Sequence, residues 1–405
     1  MKKPELLAPA GDLEKLKAAV RYGADAIYVG DTRFSLRAAA KNFSDEELEE
    51  GVRFAHENGV KVYLAANIFP RQSDFKHLPD AVTAWKSAGV DGVIISDLGM
   101  FSAVKKLAPE LEIHISTQAN NVNAETVKAW YNLGAKRVVL ARELSFEEIC
   151  TIREEVPDDC ELEMFIHGAM CISYSGRCLL SNYMADRDSN KGACAQPCRW
   201  NYSLVEEKRP NEYFPVFEDE HGTYIFNSRD LNLLPFLPQI IQSGVSSLKI
   251  EGRVKSEYYV ASVVKVYREA IDAYFENPST FVVKEEWLQE LTTVSHRAYG
   301  SGFFEKQPGS DGQIYGTSSY IRDYEVVGMV VDYHDGVATI EQRNRFFEGD
   351  TVEFLPFKGP AFAQKVDWLK DMEGNPISSV PHPQMRFCMP CDYPVEKNTF
   401  VRKKK

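Results

Sequence analysis

Four of the eight cysteines of this 405-residue chain fall in one polar stretch, CISYSGRCLLSNYMADRDSNKGACAQPCR, residues 171 to 199. They are Cys171, Cys178, Cys194 and Cys198, spaced C-x6-C-x15-C-x3-C. Four thiolates are the donor set of an iron–sulfur cluster or a structural zinc. The glycines Gly168, Gly176 and Gly192 let the backbone turn tightly around such a centre. The spacing matches neither the paired C-x2-C of a zinc ribbon nor the compact ferredoxin run, so it does not choose the metal. A Cys/His nucleophile is the other chemistry on offer, with His167 four residues before Cys171. Small buried hydrophobes, the usual state of a free cysteine, are the third reading. Cys388 and Cys391 in CMPCDYP form a lone C-x2-C, and Cys150 and Cys160 read as structural.

A second set of candidates emerges once strands are placed. In five segments, YGADAIYVG, NGVKVYLAAN, AGVDGVIISD, LGAKRVVLARE and SGVSSLKIEGR, a helix-ending glycine precedes a short apolar β-rich run. Amphipathic stretches such as DLEKLKAAVR and DEELEEGVRFAHE lie between them. With ELLAPAG, LEIHIS and ELEMFIHG the strands fall near residues 5, 26, 61, 92, 113, 137, 162 and 247. Apolar strands alternating with helices imply a parallel sheet covered on both faces, and eight such units close a (β/α)8 TIM-type barrel. An open doubly wound sheet is the runner-up, but no glycine-rich dinucleotide fingerprint follows the first strand. The expected organisation is a barrel over residues 1–280 carrying a Cys-rich insertion at 168–235, a helix and linker at 281–320, and a small all-β barrel at 321–405.

Barrel chemistry gathers at the C-terminal ends of the strands. That places Asn67, Asp97, Thr117, Gln118, Arg142, Glu143, His167, Glu251 and Arg253 together at one mouth. Each could be polar only because strand ends meet water. ARE and EGR set an arginine beside a glutamate, which suits either a salt-bridged scaffold or a fork for an anionic ligand. His167 reads as a general base or, with more weight, as a hydrogen-bonded core histidine in an inward-looking strand.

Composition narrows the classes. A net charge of −12 argues against a general nucleic-acid coat while allowing a local basic groove. The one basic run, Arg402 to Lys405, reads as a solvated tail. Neither a signal peptide nor an uninterrupted apolar span of membrane length is evident, so a cytoplasmic protein with no membrane role is expected. In that reducing compartment, clustered cysteines point to metal or chemistry.

The block EMFIHGAMCISYSGRCLLS, from Glu163 to Ser181, resembles the signature of the U32 peptidase family. ELLAPAG, GACAQPCRW, FNSRDL and SLKIEGRVKSEYYV resemble its other blocks in the same order. The resemblance spans the chain and implies a collagenase-like C-terminal β-barrel. The family carries a peptidase label without an agreed catalytic type, and its pattern here is nearest the bacterial tRNA hydroxylation members. That implies formation of 5-hydroxyuridine at the anticodon wobble position, with prephenate and a cysteine-held iron–sulfur cluster, 4Fe-4S, as requirements. By the same resemblance Cys171, Cys178 and Cys194 are cluster ligands, the fourth in many relatives being a cysteine directly after the DL of NSRDL. Here that residue is Asn232, a poor iron ligand. Cys198 supplies the missing thiolate, or one iron stays open, or the site holds zinc or nothing. In this reading Arg142, Arg187, Arg199 and Arg253 clamp anionic groups beside Gln118 and Asn67, with Glu143, His167 and Glu251 as catalytic partners. The expected macromolecular partners are tRNA and a paralogous U32 subunit. A peptidase remains the alternative, although no Ser-His-Asp order, H-E-x-x-H helix or G-x-S-x-G elbow is present. A cluster-bearing RNA-binding subunit of a hetero-oligomer is the non-enzymatic one.

Overall fold

The computed structural model describes residues 2–36, 41–170, 180–185, 187, 194–197, 200, 203–206, 209–215, 227–307, 313–314 and 320–405. Seven strands come first: β1 (Glu5–Pro9), β2 (Ala26–Val29), β3 (Lys61–Ala65), β4 (Gly92–Ile95), β5 (Glu112–Ile115), β6 (Arg137–Val139) and β7 (Glu161–Gly168). Each pairs in parallel with the next. After β8 (Asp230–Asn232) comes β9 (Ser247–Ile250), which pairs in parallel with both β7 and β1 and so closes an eight-stranded TIM-type barrel.

The helices start where the sequence supplies caps. Ser44 and Ser145 each form a reciprocal capping box, with Glu47 and Glu148, at the heads of α2 (Asp45–Glu57) and α6 (Phe146–Glu155). Asp12, Asn123 and Ser256 accept the third-residue N–H of α1 (Leu13–Arg21), α5 (Ala124–Leu133) and α9 (Glu257–Glu276). The glycines that end the helical patterns, at 23, 59, 89, 134 and 244, all have positive φ, which reverses the chain toward the next strand. With α3 (Leu78–Ala88), α4 (Leu98–Leu107) and the short α7 (Leu180–Ala185) and α8 (Leu237–Gln242), these helices complete the barrel unit. The apolar mass lies between strands and helices, around Trp85, Leu6, Leu16 and Tyr267.

At its C-terminal end β7 acquires another neighbour. β8 pairs antiparallel with it, Leu231 opposite Gly168 and Asn232 opposite His167, and β10 (Tyr299–Gly300) continues the sheet in parallel with β8. Arg297 and Asp230 fix this extension. The Arg297 backbone N–H, Nε and Nη2 donate to the Asp230 carboxylate at 3.0, 2.9 and 2.7 Å, with both residues buried.

Past α10 (Glu285–Thr292) the chain forms an eight-stranded antiparallel sheet that curls as a half-barrel around Val327, Ile340, Phe346, Phe354 and Phe387. It packs on α1 and α9 through Tyr22, whose hydroxyl donates to the Leu355 carbonyl at 2.8 Å, and through Phe400 against Tyr258. The basic tail is a strand, Phe400–Lys404, and this corrects the expectation of a solvated end. Arg402 is buried and bridges Glu290 of α10 to Glu353, while Lys403 pairs with Asp350. Carboxylates from two elements, Glu290 and Glu353, converge on the one buried guanidinium, which satisfies both. Among the described residues no helix is long and apolar enough to cross a membrane.

Candidate active site at the barrel mouth

Six of the strand-end candidates, Asn67, Thr117, Gln118, Arg142, Glu251 and Arg253, line one pocket at the C-terminal end of the barrel. The pocket holds about 490 Å³, counting its open mouth, and Tyr28, Phe165 and Lys249 contribute to its lining. Local turns aim the polar groups. Ser116 Oγ accepts the Gln118 N–H at 3.2 Å and so starts a single 3-10 turn, Thr117–Ala119, whose end is tied down by the Asn121 amide on the Ser116 and Val139 carbonyls. Arg253 is 2% exposed and donates to Ser35 Oγ and Asn42 Oδ1, both at 2.6 Å, pulling the loop after β2 over the mouth. Arg142 donates to the Ala169 carbonyl at 2.5 Å and lies 4.9 Å from the Phe165 ring centre. Both arginines therefore brace the segments that frame the pocket.

Below them is a layer that the sequence reading missed. Lys249 projects inward from β9, its Nζ 2.7 Å from a Glu163 oxygen. The other Glu163 oxygen accepts from Arg137 at 3.2 Å, and Arg137 also binds Glu5 at 2.6 Å and Glu161 at 2.7 Å. Burial pushes the Glu163 carboxyl upward, but Lys249 and Arg137 outweigh it and hold it below the usual range. Glu163 is thus an anion inside the barrel. The clue was Lys249 itself, one cation in the apolar run SLKI, facing inward by the period-two rule.

Other candidates lie elsewhere. His167 is 1% exposed and does not line the pocket. The Tyr267 and Tyr299 hydroxyls sit 3.4 Å from its Nδ1 and Nε2, and the Tyr259 ring packs beside it. Desolvation pulls its pKa down to about 3, a trend that Asp230 only partly opposes, so the ring is neutral near pH 7. This is the core role rather than that of a mouth base. Glu143 is half-buried, raised by desolvation against the opposing Arg142 charge, and stands outside the pocket lining. Asp97 caps α4, accepting the Met100 N–H at 2.9 Å.

Arg187 is exposed and is not part of the pocket lining. Cys171, Cys178, Cys198 and Arg199 fall outside the described residues. Cys194 is exposed, its Sγ accepting the Gln196 N–H at 3.4 Å. Asn232 Oδ1 accepts the Leu234 N–H at 3.1 Å and the Tyr267 hydroxyl at 3.3 Å, closing the turn that ends β8. No group of three or more His, Cys, Asp or Glu able to hold a metal occurs among the described residues. Cys391 is buried with its thiol pushed up to about 11, and Cys388 lies 3.7 Å from Thr339 Oγ1.

Residues 11–314 match the sequence profile of peptidase family U32, and residues 322–402 match that of the U32 C-terminal domain. The chain belongs to peptidase family U32. Three relatives show the spread of names inside this family. The tRNA hydroxylation protein P1 of Bacillus subtilis is 43% identical, over 100% of this chain and 96% of its own. The tRNA hydroxylation protein P2 of the same organism is 34% identical, over 76% of this chain and 99% of its own. A collagenase of Porphyromonas gingivalis is 32% identical over 90% of both chains. Among solved structures, the U32 peptidase Mk0906 is 17% identical, covering 62% of this chain and 93% of its own with a TM-score of 0.41.

Proposed function

We propose that this U32 chain is a tRNA hydroxylation enzyme that takes part in converting the wobble uridine to 5-hydroxyuridine. The observation that carries this reading is the 43% identity to tRNA hydroxylation protein P1 along the entire chain. Prephenate is the proposed small-molecule requirement, bound in the mouth pocket, where guanidinium and ammonium groups line one cleft. An iron–sulfur cluster is the proposed cofactor. Its ligands would be Cys171, Cys178, Cys194 and Cys198. Four thiolates are a suitable donor set for such a cluster; of them Cys194, the one among the described residues, is exposed on the insertion that follows β7, and the amide oxygen of Asn232 is already committed to its turn. When bound, the cluster supplies one-electron chemistry. The chain's own residues bind and orient. Arg142 and Arg253 hold the mouth segments, Gln118, Asn67 and Glu251 present polar groups to the ligand, and His167 stays neutral and fixes the end of β7.

Partners in this reading are tRNA and a paralogous subunit, since Bacillus subtilis holds both a P1 and a P2 protein. The deciding experiment is nucleoside analysis of tRNA from a strain lacking this gene and its paralogues. Loss of 5-hydroxyuridine derivatives, restored by this chain, is the expected result; unchanged levels overturn the proposal. Iron analysis of anaerobically purified protein tests the cofactor separately, with Cys171→Ala and Cys178→Ala expected to abolish bound iron. The collagenase name of one relative keeps a second reading in view. Gelatin digestion that disappears in Cys171→Ala would establish that reading instead.

A further inference from the structure

A TIM-type barrel fills its interior with layers of branched apolar side chains. Here the layer under the mouth holds Lys249, Glu163 and Arg137, exposed by 4%, 0% and 4%. Folding energetics do not explain this choice, because apolar residues of similar volume usually serve stability as well as a buried ion pair does. Lys249 also has donors to spare. Its ammonium carries three protons, and Glu163 is the one hydrogen-bond acceptor it meets among the described residues. Otherwise Nζ faces the ring of Tyr28, 4.4 Å from the centre, and that of Phe165 at 5.5 Å. All three residues line the mouth pocket. An almost wholly buried ammonium with unfilled donors, at the floor of a pocket, is built to receive an acceptor from outside the chain.

The charge balance gives the sign of that acceptor. Glu5 and Glu161, which pair with Arg137, sit at the far end of the barrel and are not part of the pocket lining. Among the residues that line the pocket, Lys249, Arg142 and Arg253 stand against one carboxylate, Glu251. The local excess is cationic.

We propose that Lys249 is the ligand-contacting residue at the floor of the mouth pocket, its ammonium aimed by Glu163 and Arg137 and donating to an anionic oxygen of a small organic acid. This rests on the function proposed above and assigns the contact its acid would make. Glu163 and Arg137 are positioning residues, reaching no ligand themselves. Tyr28 and Phe165, flanking the ammonium, exclude water and strengthen the contact.

The test is calorimetric titration of the full chain with prephenate, phenylpyruvate and malonate. At least one acid is expected to bind, and Lys249→Met should weaken that binding about 10- to 150-fold, the factor one charge-assisted hydrogen bond supplies. Lys249→Arg keeps the charge and its ion pair with Glu163 but changes the reach, and should weaken binding about 3- to 10-fold. It carries the test if Lys249→Met does not fold, as read from its melting curve without ligand. Binding unchanged in the variants, or no binding of any of the three acids by the unaltered protein, overturns the assignment. The two proposals fail separately. Acid binding that is lost in Lys249→Met while deletion leaves 5-hydroxyuridine intact supports the pocket and overturns the tRNA reading. Deletion that abolishes 5-hydroxyuridine while no acid binds overturns the pocket alone.

Discussion

Asp230→Ala should be among the most damaging single changes outside the apolar core. The carboxylate is 2% exposed and takes three N–H groups of Arg297, itself 1% exposed, at 2.7 to 3.0 Å. Three charge-assisted hydrogen bonds summed at face value would give roughly 5–9 kcal/mol, but water entering the space restores part of the solvation. Removing one partner of a buried pair costs about 3–5 kcal/mol, and we take that range. For a barrel unit of about 300 residues, with an unfolding entropy of about 2.1 cal/mol/K per residue, it corresponds to a fall in Tm of about 5–8 °C. Thermal melts of the two proteins at pH 7.5 read it directly. The double change Asp230→Leu with Arg297→Met should recover more than half of the loss, because no buried charge is then left behind. The pH dependence has a definite sign. Burial would raise the Asp230 carboxyl, but Arg297 holds it below its ordinary 3.8. Its contribution is therefore complete above about pH 4 and is lost as pH falls through the lowered folded value, so the acid-side decline should be shallower in the Ala variant. A single-variant loss under about 1 kcal/mol, or a double variant no better than the single, would refute the reasoning.

Gly168→Ala should destabilise by about 2 kcal/mol or more, since Gly168 has φ +115° and an added Cβ would lie 2.5 Å from the Glu251 carbonyl oxygen; an unchanged melting curve would show that the β7 end is not fixed as described. Glu257 is pushed up to about 7 by burial, with Glu14 adding and Arg343 and Arg21 opposing. Its ionised form is therefore strained in the folded chain, so stability falls as pH rises from about 4.5 to 7. Glu257→Gln should be more stable than the parent at pH 8 by on the order of 1–2 kcal/mol, after allowance for partial exposure, with the gap closing near pH 5; urea titrations at the two pH values check it. His167, with its folded pKa near 3, loses stability in the opposite direction. The unfolded chain takes up its proton below about pH 6.5, so about 2 kcal/mol should disappear between pH 7.5 and 5 and be absent from the slope of His167→Gln. Equal slopes would mean that His167 is not held neutral.

Five of the eight barrel strands were legible because each is an apolar run introduced by a glycine with positive φ, and the other three as apolar runs in the same alternation with helices, signals that need no knowledge of distant residues. The mouth residues followed from strand ends alone, which is why Asn67, Gln118, Arg142, Glu251 and Arg253 were found together. Asp97 came with them because a helix cap and a ligand contact both want a short carboxylate after a strand. Lys249 and Glu163 escaped because their pairing joins strands far apart in sequence, and within SLKI the lysine looks like an interruption. Spacing offered a His167 and Cys171 nucleophile pair as the weaker alternative to a metal site; β7 turns the imidazole toward tyrosine hydroxyls, and Cys171 lies outside the described residues. The tail misled by composition: four cations suggest solvent, and the half-buried carboxylates that claim Arg402 lie on other elements.

The pairing of Leu231 with Gly168 carries a consequence for how this family can vary. The chain leaves the barrel after Gly168 and returns at a residue hydrogen-bonded beside it, so the barrel and its sheet extension close that excursion. Closing a loop grows costlier only with the logarithm of its length, and here the ends are already held by β7 and β8. Segments between these two points can therefore lengthen, shorten or exchange motifs with little effect on the scaffold. The barrel acts as a socket, and the chemistry plugged into it can change while the socket stays the same.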